Sequence, residues 1–133
     1  MMSAKKTLLE TQNKPGRDIQ HILELWGAWA ANDNSHIDWQ PVAAGFKRLL
    51  PHMKKSRPQC DDDYGIIIDA AVACLQKVRK PQELQLIIVH YVYGVSKRAI
   101  ARHLGLTEGR IRQKMQIAEA FIEAYLNISG VIL

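Results

Sequence analysis

Cysteine is scarce in this chain of 133 residues: Cys60 and Cys74 are the two it has. They are too few for a disulfide framework and lack the CxxC spacing of a zinc ribbon or a redox pair. Two reduced thiols in a protein of the cytoplasm are expected instead. No apolar run approaches the ~20 residues that cross a bilayer, so no membrane partner through a spanning helix is expected. Met1 to Gly16 offers only Leu8 and Leu9 as an apolar pair, too little for a signal-peptide core. A glycine-rich phosphate loop after a strand and a nucleophile elbow are both missing. The histidines (His21, His36, His52, His90 and His103) are scattered, and no serine, cysteine or carboxylate is placed to work with one of them. The sequence therefore predicts no catalytic residue, no metal ligand set and no cofactor.

What is present is the composition of a folded protein: 47% apolar and 23% charged residues in 15.1 kDa. That length suits one compact domain, or two very small subdomains sharing a core. Eighteen basic residues stand against 13 acidic ones, a net charge of +5 with a pI near 9.4. Such a balance points towards nucleic acid or an anionic membrane. Its distribution along the chain has to decide between them.

The hydrophobic pattern is helical throughout, and the chain is expected to be all-α with about six helices. Residues 1–16 are polar and read as an N-terminal arm, 17–128 as one helical domain, and 129–133 as an apolar tail. Ile19, Ile22, Leu23, Trp26, Trp29 and Ala30 recur at intervals of three and four, one face of a helix over about Asp18 to Ala31. Asn32, Asp33 and Asn34 stop it. A second helix opens at Asp38 and Pro41 and carries Val42, Ala43, Phe46, Leu49 and Leu50 up to Pro51. Trp26, Trp29 and Trp39 at helical spacing read as core. Residues 51–63 form a polar linker ending in Asp61, Asp62 and Asp63, an N-cap with dipole-favourable charge for a helix over about Tyr64 to Val78. Its expected buried stripe is Ile66, Ile67, Ala70, Ala71, Cys74 and Val78. Leu86 to Val92 is β-branched enough to suggest a strand, but Leu84, Ile87, Ile88 and Tyr91 after Pro81 fit a helix better.

The informative segment is Lys97 to Leu126. Ser96 caps a short helix with Ala99, Ile100 and Leu104 turned inward, Gly105 supplies a left-handed stop, Leu106 is a buried turn residue, and Thr107 caps the next helix. That helix turns Ile111, Met115, Ala118, Phe121, Ile122 and Tyr125 inward. Ala99 and Ala101 keep the first helix thin, so the second can cross it closely. Two helices joined by a short glycine turn after an apolar helix are the sequence form of a helix-turn-helix. Between Lys97 and Gln116 lie Lys97, Arg98, Arg102, Arg110, Arg112 and Lys114 against Glu108 alone, a surplus equal to that of the whole chain. Arg110, Gln113, Lys114 and Glu108 fall on the outer side. Side chains there reach base edges in a major groove, where Arg suits guanine and Gln adenine. Lys97 and Arg98 suit phosphates.

These residues carry two resemblances. Thr107, Arg110, Ile111, Arg112 and Gln113 match the T-x-x-R-I-R-Q pattern of the recognition helix in region 4 of bacterial sigma factors, while Gly109 and Lys114 depart from it. The match implies Arg110, Arg112 and Gln113 as DNA readers, with Glu108 close by. A wider resemblance, over about Arg17 to Ile128, is to the antitermination protein Q family of lambdoid phages. It rests on the WGAWA and AAGFK runs, the linker KSRPQCDDD and the stretch YGVSKRAIARHL. It implies a late-gene regulator of the bacterial host's cytoplasm, with double-stranded DNA and RNA polymerase holoenzyme (sigma factor and core) as partners. Such a factor binds a DNA element near the late promoter as a monomer or as two copies, loads onto paused polymerase and carries it through terminators. The tryptophan-rich N-terminal helices and the linker residues Lys54, Lys55 and Arg57 are candidates for a surface facing polymerase or nascent RNA. A repressor, activator or sigma-like initiation regulator using the same helix is the alternative. A helical protein whose basic face meets an acidic partner is a third reading.

Overall fold

A computed structural model of the chain describes residues 15–35, 37, 44–50, 57–78 and 81–130. Every regular element among them is helical, as the hydrophobic pattern predicts. Helix α1 spans Pro15–Trp29 and widens into a π-helical turn, Ala30–Asn34. A 3-10 turn follows at Ala44–Leu49, then α2 at Asp62–Lys77. Helix α3, Pro81–Ile87, continues as a π-helical turn over Ile88–Val92. Helices α4, Lys97–Leu104, and α5, Glu108–Ile128, complete the described chain. Of the expected helix over Asp38 to Leu50, residues 38–43 lie outside the described ones, and Ala44–Leu49 forms a 3-10 turn rather than an α-helix. Pro51 bars Leu50 from the α region, Gly45 weakens a helix, and Phe46 sits at φ −119°, off the helical values.

The centre of the molecule is α3 with its π extension. Leu84, Leu86, Ile87, Ile88, Val89, Tyr91 and Val92 are all buried, so this segment is apolar around most of its circumference, with Gln85 and His90 half-buried. A helix of that kind belongs inside a core, and α1, α2 and α5 enclose it. This is why Leu86 to Val92 reads like a strand: burial of six of its seven residues removes the amphipathic period that distinguishes the two.

The run Trp26-Gly27-Ala28-Trp29-Ala30 is used residue by residue. Trp26 and Trp29 are buried, and since a buried indole N–H needs an acceptor, both place it on a carboxylate. Trp26 Nε1 donates to Asp69 Oδ1 at 3.1 Å, and Trp29 Nε1 to Asp62 Oδ1 at 2.9 Å. Gly27 lets α1 approach the α3 extension so closely that a Cβ would collide with the Tyr91 carbonyl. Ala28 and Ala30 are buried beside them. The helix ends as its Asn-Asp-Asn run predicts: Asp33 is left-handed at φ 65°, and the Asn34 side-chain amide donates to Trp29 O at 2.8 Å.

The same contacts correct the expected face of α2. Asp61 is its N-cap, accepting the Tyr64 N–H at 3.0 Å. The buried stripe is Gly65, Ile68, Asp69, Ala71, Val72 and Leu75. Of the expected set only Ala71 is buried; Cys74 is half-buried, Ile67 and Ala70 are exposed, and Ile66 and Val78 are about half exposed (53% and 47%). The two indoles decide the rotation. Gly65 makes room for the Trp29 ring, and Asp69 accepts from both Trp26 and the Ser35 hydroxyl. A face holding a glycine and an aspartate is invisible to a count of apolar residues.

Candidate nucleic-acid interface

Helix α4 opens with the Ser96 hydroxyl accepting the Ala99 N–H at 3.1 Å. It closes on Gly105, at φ 71°, in a Schellman motif: Leu106 N–H donates to Ala101 O at 2.9 Å and Gly105 N–H to Arg102 O at 3.3 Å. The Thr107 hydroxyl then accepts the Arg110 N–H at 3.1 Å and starts α5. These local bonds fix the reversal between the two helices, and Ile100, Ala101, Ile111 and Met115 bury its inner side. Ala99 is half-buried. Two expected inward residues are not inside: Leu104 is 37% and Leu106 38% exposed. The turn is held by backbone hydrogen bonds, so the last residue of a two-turn helix and the one after its glycine need no core contact.

The outer side gathers the charge. Arg98, Arg102, Arg110, Arg112 and Gln113 are exposed along with Thr107, whereas Lys97, Lys114 and Glu108 are half-buried. The side chains form an ordered array. Arg112 is paired with Glu108 at 2.7 Å, and Arg98 approaches the other Glu108 oxygen at 4.0 Å, joining the starts of α4 and α5. Arg110 donates to Gln113 Oε1 at 3.0 Å, and Lys114 Nζ to Gln82 Oε1 at 3.0 Å. Exposed pairs of this kind contribute little to stability. Their consequence is orientation: two guanidinium groups and one carboxamide are held on the exposed face of the first two turns of α5.

The platform under α5 is a polar contact the sequence pattern does not announce. Glu119 is buried on the inner face, accepting from Tyr91 Oη at 2.6 Å and from Gln20 Nε2 at 3.2 Å. Burial and this bond push the Tyr91 hydroxyl well above its ordinary value, so it stays protonated and donates. The available signal was register: Glu119 falls between Met115 and Ile122 on the face otherwise read as apolar. Phe121 and Tyr125, expected inside, are half-buried, and Leu126 is buried instead of Tyr125.

Arg57 holds the end of the central helix. Its guanidinium donates to Tyr91 O at 3.0 Å and Val92 O at 2.8 Å, a cation at a helix C-terminus. Beside it, the His90 ring donates from Nδ1 to Val95 O at 2.7 Å, and Gly94 takes a left-handed turn into α4. Burial draws the His90 pKa below its ordinary value, so the neutral ring is favoured there. Arg57 is thus half-buried with its guanidinium engaged by these carbonyls, while Lys54 and Lys55 lie outside the described residues, as do His36, Trp39 and His52. His103 on α4 is exposed, as expected of a residue near the turn, and its Nε2 donates to Gly45 O at 2.8 Å. Among the described residues no group of three or more His, Cys, Asp or Glu could hold a metal ion.

Comparisons with known proteins identify the family and the fold. The family model for "Phage antitermination protein Q" matches residues 16–133. A probable antitermination protein Q of Acyrthosiphon pisum secondary endosymbiont phage 1 is 56% identical over 117 residues, covering 88% of this chain and 79% of that one. Antitermination protein Q of Escherichia phage 933W is 41% identical over 117 residues, 88% of this chain and 81% of that one. The fold is that of transcription antitermination factor Q21: its selenomethionine derivative superposes with a TM-score of 0.71 at 20% identity, over 88% of this chain and 90% of that one. Q21 in complex with Q21-binding-element DNA gives 0.65 at 22% identity, over 88% and 92%. The chain belongs to the phage antitermination protein Q family.

Proposed function

We propose that this antitermination protein binds a duplex DNA element near the late promoter through α4 and α5, and from there modifies paused RNA polymerase to read through terminators. The observation that carries the reading is the ordered basic array on a Schellman-closed helix-turn-helix, with the chain's whole net charge between Lys97 and Gln116. Arg110, Arg112 and Gln113 are the base readers, since they occupy the exposed start of the second helix. Thr107 and Glu108 set that start, the first by capping it and the second by holding Arg112. Lys97, Arg98 and Arg102 on α4 engage phosphates, and Lys114 flanks them from α5. The Q21 complex with its binding-element DNA supports the choice of ligand.

The polymerase surface is a separate assignment. Lys54 and Lys55 keep the role of facing polymerase or nascent RNA, and Arg57 is better explained by its hold on α3. A helix-turn-helix of this size buries little surface alone, so two copies on DNA or the polymerase partner supplies the remaining affinity. The site of action is the cytoplasm of the bacterial host; no helix among the described residues is long and apolar enough to cross a membrane.

A purified transcription reaction with a late promoter and a downstream terminator tests the proposal. Readthrough should rise when the protein is present from initiation, and should require the promoter-proximal DNA element. Unchanged termination overturns it; an effect confined to initiation frequency favours an initiation regulator instead.

A further inference from the structure

The 3-10 turn Ala44–Leu49 sits against α4, far from it in sequence. Phe46 is buried, and its ring lies 5.1 Å from that of His103, tilted by 39°. The His103 Nε2–Gly45 O bond closes the same contact. With Phe46 anchored and the Gly45 carbonyl tied to α4, the turn leaves Lys47 and Arg48 exposed.

The side of α4 on which this happens can be read from the helical period. Successive residues turn by about 100°. Ile100 and Ala101 mark the buried side. Arg98 lies towards the start of α5, as its 4.0 Å approach to Glu108 records. His103 lies on the opposite flank, and Arg102 falls between Arg98 and His103. The order across the surface is therefore Arg112, Arg98, Arg102, then the 3-10 turn with Lys47 and Arg48. The basic array does not end at α4.

We propose that Lys47 and Arg48 form a second phosphate-binding element, outside the helix-turn-helix, which engages the nucleic-acid backbone beyond the segment that α5 reads. The proposal rests on the DNA-binding reading above and adds a contact to it. Its chemistry is that of an anionic phosphodiester backbone: two adjacent cations on a short rigid turn suit successive phosphates and carry no base information. His103 is a positioning residue in this scheme, since it touches the turn and not the ligand.

The test is the salt dependence of binding to a mixed-sequence DNA duplex, for the wild-type chain and the double variant Lys47→Ala, Arg48→Ala. Each phosphate contact contributes about 0.9 to the slope of log K against log salt. Binding by the wild type should then weaken between about 50 and about 200 mM salt by roughly tenfold more than binding by the double variant. Preference among duplex sequences should be unchanged, and so should the thermal melt, because both side chains are exposed. His103→Ala should reproduce part of the loss in slope through the loosened turn. An unaltered slope in the double variant, with a steep wild-type slope, overturns the second element and leaves the helix-turn-helix reading standing. A wild-type chain that ignores duplex DNA at low salt overturns both.

Discussion

Tyr91 Oη and Glu119 Oε2 lie 2.6 Å apart, a buried hydrogen bond that ties the central helix to the helix carrying Arg110 and Gln113. The other Glu119 oxygen takes the Gln20 amide from α1. One carboxylate thus fixes α5 against two neighbouring elements, in a core otherwise held by non-directional apolar contact. Directional bonds of this kind set the angle at which a helix leaves the body.

Removing the hydroxyl leaves a buried acceptor without its donor. Tyr91→Phe should destabilise the fold by about 1 to 3 kcal/mol, and Glu119→Ala should cost at least as much by emptying the site. Urea denaturation followed by circular dichroism measures both. An unchanged midpoint in Tyr91→Phe would mean that the bond contributes nothing net.

Two glycines mark close approaches. A Cβ at Gly27 would meet the Tyr91 backbone carbonyl, and one at Gly65 the Trp29 ring. Gly27→Ala should be the worse of the two, at or above the ~3 kcal/mol upper end usual for overpacking, because a backbone carbonyl in a buried helix cannot step aside as a ring can. Thermal melting of the two variants gives the order directly.

Arg57 separates two roles. If it chiefly holds the Tyr91 and Val92 carbonyls, Arg57→Ala should lower stability by about 1.5 to 3 kcal/mol, the range for hydrogen bonds from a charged group. Readthrough by the remaining folded protein should persist. Lost readthrough with an unmoved melting temperature would instead return Arg57 to a partner-facing surface.

On DNA, Arg110→Ala should cost roughly 1 to 3 kcal/mol of specific binding and relax base preference. Lys97→Ala should weaken all sequences alike and flatten the salt dependence. Competition titrations with matched and scrambled duplexes distinguish the two patterns; identical behaviour of the variants would contradict the division of roles.

His90 makes stability depend on pH. Its folded pKa lies below the ordinary value of 6.5 because burial disfavours the charged ring. The unfolded chain therefore binds the proton more readily, and His90's contribution is fully present above about 6.5 and is lost as pH falls towards the folded value. Denaturation midpoints of the wild type should drop on going from neutral to mildly acid pH more than those of His90→Gln. Equal pH dependence would assign the drop to other groups.

Much of this molecule is legible in one dimension, because much of it is local. The caps Ser96, Asp61 and Thr107, the left-handed Gly105, the apolar stripe of α1 and the Ile111, Met115, Ala118 and Ile122 part of that of α5 follow from residues within four or five positions of each other. Helix termini and faces are decided at that range. So is the basic array, since α4 and α5 are adjacent in sequence. Phe46 is legible as an apolar residue, but its place against His103, 57 positions away, is not.

The sequence by itself determined the all-helical class, the helix-turn-helix and the concentration of charge between Lys97 and Gln116. Only the tertiary structure decided which face of α2 turns inward, where Glu119 and Arg57 spend their charge, and that Lys47 and Arg48 border α4. The physical reason is the same in each case. A polar group taken from water is tolerated only where a partner meets it, and here those partners, Asp69 for buried Trp26, Tyr91 for buried Glu119 and the Tyr91 and Val92 carbonyls for half-buried Arg57, are 28 to 43 positions away along the chain.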